Sequence, residues 1–210
     1  MEFFDLIEKR YSVRKFKNID IPDSDIEKII GAARIAPSGK NIQNWHFAVV
    51  KNAGIRKAMA EAVLARIDKI AAGLPEEKGQ LLKKFSRFST FFSDAPAVVA
   101  VYVDKYIPEG YPEMVESKDD QENLDRILFA EPAIQGVGGA IEQMILAAFD
   151  LGYGACWMTS ANNALIDLEN IIGLKNDKFR LIALVPVGVA DGERKSPPRK
   201  DLSEIMTIIR

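Results

Sequence analysis

Arg10, Ser12 and Arg14 alternate along the segment Arg10-Tyr11-Ser12-Val13-Arg14. In an extended backbone that spacing turns all three side chains to one side, so two guanidinium forks and a hydroxyl face together. A phosphate monoester is a dianion, and arginine's planar fork grips its oxygens in pairs. Downstream lies a turn-forming run, Ala36-Pro37-Ser38-Gly39-Lys40-Asn41-Ile42-Gln43-Asn44-Trp45, in which Ser38, Asn41 and Gln43 supply donors and acceptors. An isoalloxazine ring presents two carbonyls and an N–H on its pyrimidine edge, a pattern that side-chain amides can read. A phosphate at one end and a flat, edge-polar ring at the other suit flavin mononucleotide (FMN) better than a metal, a nucleic acid or a peptide. Each half also has a plainer account: solvated basic charge, and a helix-to-strand loop.

Other chemistries lack their residues. The chain has one histidine, His46, and one cysteine, Cys156, so a Cys/His zinc site is not available. A Ser-His-Asp triad would have to use His46, and no G-x-S-x-G elbow presents a serine. Ser12-Val13-Arg14-Lys15 matches S-x-x-K, but its companion motifs are missing. Gly39-Lys40 is not a P-loop, because Arg34 stands where glycine is needed and Asn41 where Ser/Thr binds magnesium. Gly136-Val137-Gly138-Gly139 lacks the third glycine of the dinucleotide fingerprint and follows no strand. A cofactor is therefore expected to carry the chemistry, with no catalytic side chain and no metal.

The elements that must position these residues follow from pattern. Phe3 to Arg10 predicts a short helix, and Ser24-Asp25-Ile26-Glu27 reads as a capping box opening a second, with Ile26, Ile29, Ile30 and Ala33 on one side. Pro37 closes it. Trp45 to Val50 predicts a strand, with Trp45 in the core rather than stacked on a ring. Residues 53–72 and 76–92 predict helices, and 97–103 a buried strand. Residues 106–120, with two prolines and five acids, predict an exposed loop or lid. Pro132 suits the first turn of a long helix ended by Gly152, whose middle is apolar on nearly every side. A short strand at 155–159, a helix at 165–172, a last strand at 180–189 and an extended tail complete the chain. Irregular alternation argues for one α+β domain spanning 1–210 rather than a doubly wound sheet.

Composition sets limits. At 210 residues and 48% hydrophobic content, one sizeable core is expected. A net charge of −2 gives no overall reason to bind nucleic acid. The longest apolar run, 97–103, is far short of the roughly 20 residues that span a bilayer. No export signal is visible, and the lone cysteine forms no internal disulfide, so a cytoplasmic location is expected. Basic charge gathers at Lys9, Arg10, Arg14, Lys15 and Lys17, and again at Arg194, Lys195, Arg199 and Lys200.

Arg10-x-Ser12-x-Arg14 followed by Ala-Pro-Ser-Gly-x-Asn-x-Gln-x-Trp resembles the amino-terminal signature of the FMN-dependent nitroreductase family. The stretch from Leu146 to Trp157 resembles the family's central helix and the segment after it. Leu184-Val185-Pro186-Val187-Gly188 and Pro197-Pro198-Arg199-Lys200 resemble its final strand and phosphate-binding tail. The resemblance implies a nitroreductase-like α+β fold, with a central mixed or antiparallel sheet surrounded by helices, and an interlocked homodimer holding two FMN molecules at its interface. It implies that Arg10, Tyr11, Ser12 and Arg14 bind FMN from one subunit, with Arg199 closing on the phosphate and Gly188 leaving room nearby. Pro37, Ser38, Gly39, Asn41 and Gln43 would come from the partner subunit. Trp157, Met158, Thr159 and Ser160 would run past the ring and offer a backbone N–H towards N5. NADH or NADPH would reduce the flavin, which would pass electrons to a small electron-poor acceptor, a nitroaromatic or a quinone. Three positions depart from the family pattern: Asn44 replaces the usual proline before tryptophan, Tyr11 stands where arginine or histidine is common, and Thr159 stands where some members carry glutamate.

Three further readings follow. Cys156 has nothing basic beside it in sequence and reads as an inert buried thiol, and His46 as a partly exposed strand residue. Phe85, Phe88, Phe91 and Phe92 recur at helical spacing and read as core, with a substrate wall as the alternative. A flavin-binding module without turnover, and a specialised dehalogenase or flavin-consuming enzyme on the same fold, stand beside the reductase reading.

Overall fold

Alternating burial along Ala97–Asp104 fails in one direction only: every residue up to Val103 is buried on whichever face it points to. Such a run belongs at the centre of a sheet covered on both sides. The computed structural model places it there. Residues 2–174, 176–192 and 196–210 are described; Arg194 and Lys195 of the second basic cluster lie outside them.

Four strands, β1 (Trp45–Val50), β2 (Ala97–Asp104), β3 (Gly154–Ala155) and β4 (Phe179–Gly188), form an antiparallel sheet in the order β1-β2-β4-β3. On one face pack helix α2 (Asp23–Arg34) and the long helix α8 (Pro132–Asp150), through Ile26, Ile29, Val137, Ile141 and Met144. Helices α3 (Ala53–Ala72) and α9 (Leu165–Ile172) cover the other, through Met59, Val63, Ile67 and Leu168. The α+β architecture is as the sequence predicts.

Several expectations change in detail. Helix α2 begins a residue early, after Pro22, and has no side-chain cap: the predicted box at Ser24–Glu27 does not form. Asp25 instead pairs with Lys28 and accepts from the Tyr153 hydroxyl, which holds its carboxyl below the usual range. The predicted 76–92 helix breaks into α4 (Glu76–Lys84), α5 (Arg87–Thr90) and a 3₁₀ turn at Phe91–Asp94. A straight helix would put Phe85, Phe88 and Phe92 on one stripe. The break leaves Phe85 and Phe88 exposed while Phe91 and Phe92 both turn into the core. Residues 106–120 are not merely loop, since α6 (Tyr111–Glu116) forms there, and α7 (Gln121–Phe129) follows and packs against it. The predicted strand at 155–159 shrinks to β3 and a single bridge between Met158 and Leu184. The tail contains α10 (Leu202–Ile205), opened by a capping box between Asp201 and Glu204. Helix α1 (Phe3–Lys9) forms as predicted but buries only Leu6, leaving Phe3 and Phe4 exposed.

What matters for function is how the 10–17 segment is held. It leaves α1 at Arg10 in extended conformation. Ser12 bridges Ala155, and the Val13 N–H donates to the Ala155 carbonyl at 3.0 Å. Further on, Lys17 donates to Val189 at 2.8 Å and Asp191 to Lys15 at 3.0 Å. Val13 can approach so closely because residue 154 is glycine: a Cβ there would sit 2.3 Å from Val13 Cγ2. Gly154→Ala is expected to cost about 1–3 kcal/mol as an overpacked contact, lowering the thermal midpoint by several degrees. It should also loosen the segment carrying Arg10 and Arg14. An unchanged melting curve would mean that this contact does not set the segment's position.

Candidate functional site: a basic cleft and an adjoining recess

Because 10–14 runs extended, its alternate side chains share a side, and the structure uses that arrangement. Arg10, Tyr11, Ser12 and Arg14 line a cleft of about 330 Å³ closed by Ser196, Pro197 and Arg199 of the tail. Residues from the two ends of the chain thus meet in one place. Each guanidinium is oriented by a different contact. Arg14 donates to the Ser12 carbonyl at 3.3 Å. Arg199 donates to the Pro197 carbonyl and the Ser196 hydroxyl, at 3.2 and 3.1 Å. Arg10 lies 3.7 Å from Glu142 on α8. Among the described residues, Arg14 and Arg199 make no ion pair, so two guanidiniums present uncompensated charge in one cleft. That arrangement is suited to a dianion.

Arg14 also lines a second recess of about 240 Å³, bounded by Phe88, Phe91, Cys156, Trp157, Met158, Thr159 and Ser160. Here the backbone is set by the bridge to β4. The Cys156 and Met158 N–H groups donate to Pro186 and Leu184. In an extended run the intervening N–H groups of Trp157 and Thr159 point the other way, and neither has a partner among the described residues. Trp157 is 42% exposed, and its ring rests on α8, 3.3 Å from where a Cβ of Gly138 would lie. The Ser160 hydroxyl donates to the Phe88 carbonyl at 2.8 Å, tying the segment to α5. Cys156 is buried, and burial pushes its thiol up despite the nearby Arg14 and Arg10 guanidiniums and a hydrogen bond with Ser12. The thiol is buried, as the sequence reading has it, although basic groups absent from its sequence neighbourhood do surround it in space.

The 37–43 turn stands apart. Its residues line neither cavity. Gln43 N–H donates to Ser38 Oγ at 3.0 Å, and the Gln43 side chain donates to Asn41 Oδ1 at 3.1 Å. Lys40, Asn41 and Gln43 all have positive φ, of 51°, 55° and 46°. Asparagine adopts that region readily; lysine and glutamine do so at a cost of about 1 kcal/mol or more. A strained, solvent-facing, hydrogen-bonding turn is the kind of backbone that functional sites retain. It rests on α8, where Gly136 faces Ser38 and Pro37, and it is tied to the 105–110 segment by the Lys40–Glu109 pair at 2.7 Å. Buried Asn44 fixes the same corner, donating to the Asp104 carbonyl at 3.0 Å while its own carbonyl accepts from Asp104 N–H at 2.8 Å.

Of the residues singled out from sequence, Arg10, Tyr11, Ser12, Arg14 and Arg199 are brought together, and Trp157, Met158, Thr159 and Ser160 adjoin them. Tyr11 donates to the Gly192 carbonyl at 3.4 Å and packs edge-on against Phe149. Gly188 does not line the cleft. Pro96 and Phe16 occupy the space a Cβ would need, at 2.5 and 2.9 Å, so this glycine serves close packing rather than leaving room for a ligand. Trp45 is core and His46 an exposed strand residue stacked near Phe179, as expected. Sequence reasoning missed Ser196, whose only signal is its place beside the Pro-Pro-Arg-Lys run; Phe88 and Phe91, read as core with a substrate wall as the alternative, both line the recess.

A groove of about 360 Å³ on the far side of α8 is lined by Phe3, Leu6, Ala32, Ile35, Leu146 and Ala147, among others. Ile35 is 72% exposed, and in the tail Ile205 and Ile209 are also exposed. Exposed apolar side chains along a groove are one mark of an interaction surface.

The model of the nitroreductase family matches residues 7–189. The chain is 39% identical to a BluB-like flavoprotein from Clostridium difficile 630, over 100% of both chains, with a TM-score of 0.94. It is 28% identical to an iodotyrosine deiodinase from Hydra vulgaris, across 98% of this chain and 72% of that one. The structure of an FMN-dependent nitroreductase from Mycobacterium smegmatis in complex with NADPH superposes with a TM-score of 0.71 at 20% identity, over 99% and 97% of the two chains. Among the described residues, no helix is long and apolar enough to cross a membrane, and no cluster of His, Cys, Asp and Glu is poised to hold a metal.

Proposed function

The chain belongs to the nitroreductase family, and from that premise we propose that it is a homodimeric FMN-dependent oxidoreductase drawing electrons from NADH or NADPH. The observation that carries the reading is Arg14, which lines both cavities. A ligand with a phosphate in the cleft and a flat ring in the recess would pass directly over it. FMN would supply the redox chemistry, taking hydride from the nicotinamide and delivering electrons to an electron-poor acceptor such as a nitroaromatic or quinone.

The protein's part is binding and orientation. Arg10, Arg14 and Arg199 would hold the phosphate, with the Ser12 hydroxyl as a neutral donor. The free N–H groups of Trp157 and Thr159 would donate to the ring's edge. The strained turn, which reaches neither cavity of its own chain, would serve a partner subunit's flavin through Ser38, Asn41 and Gln43. Among the described residues, no carboxylate or histidine lines the recess, and burial pushes the Cys156 thiol up. Protons for the acceptor would therefore come from water or from the flavin itself. The sequence carries no dinucleotide fingerprint to hold NAD(P)H separately.

With one space above the ring, donor and acceptor must take turns. Initial rates at several fixed acceptor concentrations should give parallel double-reciprocal lines against NAD(P)H. Intersecting lines would require both substrates bound together and would overturn the single-site reading.

A second reading draws on the α6–α7 pair. That pair gives the segment more structure than the exposed loop or lid expected at 106–120, and with the likeness to an iodotyrosine deiodinase it supports a specialised reductase. Adding a halogenated tyrosine to the acceptor panel and following halide release separates the two. Following the flavin spectrum through turnover in air tests whether the flavin itself is consumed.

A further inference from the structure

We propose that Glu142 is a positioning residue for the phosphate cleft, turning the Arg10 guanidinium towards the ligand. The proposal rests on the cleft binding the phosphate of FMN.

Arg10 is the one cleft arginine not oriented by its immediate neighbours in sequence. Arg14 is held by the carbonyl of Ser12, and Arg199 by Pro197 and Ser196. Arg10 caps the end of α1, and its side chain, only 18% exposed, reaches across to α8. Contact is made through Nε, 3.7 Å from Glu142 Oε1. The two terminal nitrogens have no partner among the described residues, and the side chain lines the cleft. Glu142 thus holds the guanidinium from behind and leaves forward the pair of N–H groups that grip a phosphate bidentately. At this separation the carboxylate does not take up the donors the ligand needs.

The charge balance agrees. Three guanidiniums and one carboxylate leave the cleft at +2, which matches a phosphate monoester dianion. Without Glu142, three like charges would face one another in the empty cleft, and Arg10 would have to give up its rotamer freedom on binding.

Titrating the apoprotein with FMN and with riboflavin, which lacks the phosphate, tests the assignment. Glu142→Ala should weaken FMN binding about three- to fivefold, the upper end of what a partly exposed ion pair contributes. Riboflavin affinity should not change. Glu142→Gln should fall between the parent and Glu142→Ala, because it keeps the side chain's bulk and an oxygen facing Nε–H at 3.7 Å but loses the charge that draws the guanidinium. In an Arg10→Ala background, Glu142→Ala should cost nothing more. Unchanged FMN affinity in Glu142→Ala, a glutamine variant as weak as the alanine one, an equal loss for riboflavin, or an equal loss without Arg10 would each overturn the positioning role. An Arg10→Ala protein binding FMN as tightly as the parent would instead overturn the phosphate reading beneath it, and this inference with it.

Discussion

Truncating Arg14 to alanine is expected to weaken FMN binding about ten- to a hundredfold. Loss of a charged hydrogen-bonding partner costs about 1.5–3 kcal/mol, and Arg14 is placed where that cost is felt along the whole ligand. It borders the basic cleft and the recess alike, whereas Arg199 borders only the cleft. The two variants should therefore differ in kind. Arg199→Ala should weaken FMN but leave riboflavin affinity unchanged; Arg14→Ala should weaken both. Fluorescence titration of the apoprotein measures each. If both variants bind FMN like the parent, the arginines belong to solvated chain ends after all.

The second large effect concerns assembly. Ile35 is 72% exposed and lines the apolar groove beside α8, so Ile35→Asp should fold normally as a single chain. In a dimer burying that groove, the new carboxylate would lose its water without gaining a partner, at a cost of several kcal/mol. The dimer dissociation constant should rise on the order of a thousandfold. Sedimentation at low micromolar concentration should show a dimer for the parent and a monomer for the variant, with the same far-ultraviolet dichroism. The monomer should also bind FMN poorly, because the 37–43 turn of a second copy would no longer reach the ring. A variant monomer that keeps its flavin would show that each site is built from one chain.

Much of this was legible in the sequence because its signals are local. Alternating guanidiniums at 10 and 14 need only an extended backbone, and the backbone there is extended. Strands β1, β2 and β4 announce themselves as apolar runs, and α8 through Pro132 at its first turn. Where the sequence misled, a longer-range contact decided. Ser24–Glu27 has the pattern of a capping box, but Lys28 and Tyr153 take the Asp25 carboxylate. The helical spacing of four phenylalanines hides a break that the core imposes, so that Phe91 and Phe92 point inward together. Residues 121–129 carry no sequence expectation, and helix α7 there is supported by the Asp120 cap and the Glu122–Arg126 pair. Gly188 looked like room for a phosphate, and only its neighbours Pro96 and Phe16 reveal a packing constraint. Glu142 carries no sequence signal at all; it becomes visible once α8 lies beside Arg10.

The central claim is that one ligand joins the cleft to the recess and that this ligand is FMN. Absorbance of the purified protein, followed by chromatography of what it releases on denaturation, tests that claim most directly. The account predicts a yellow protein with flavin bands that releases FMN rather than FAD, because the cleft offers its arginines to a terminal dianion rather than to an internal diester. A colourless protein that fails to take up added FMN, or one that releases only FAD, would contradict it.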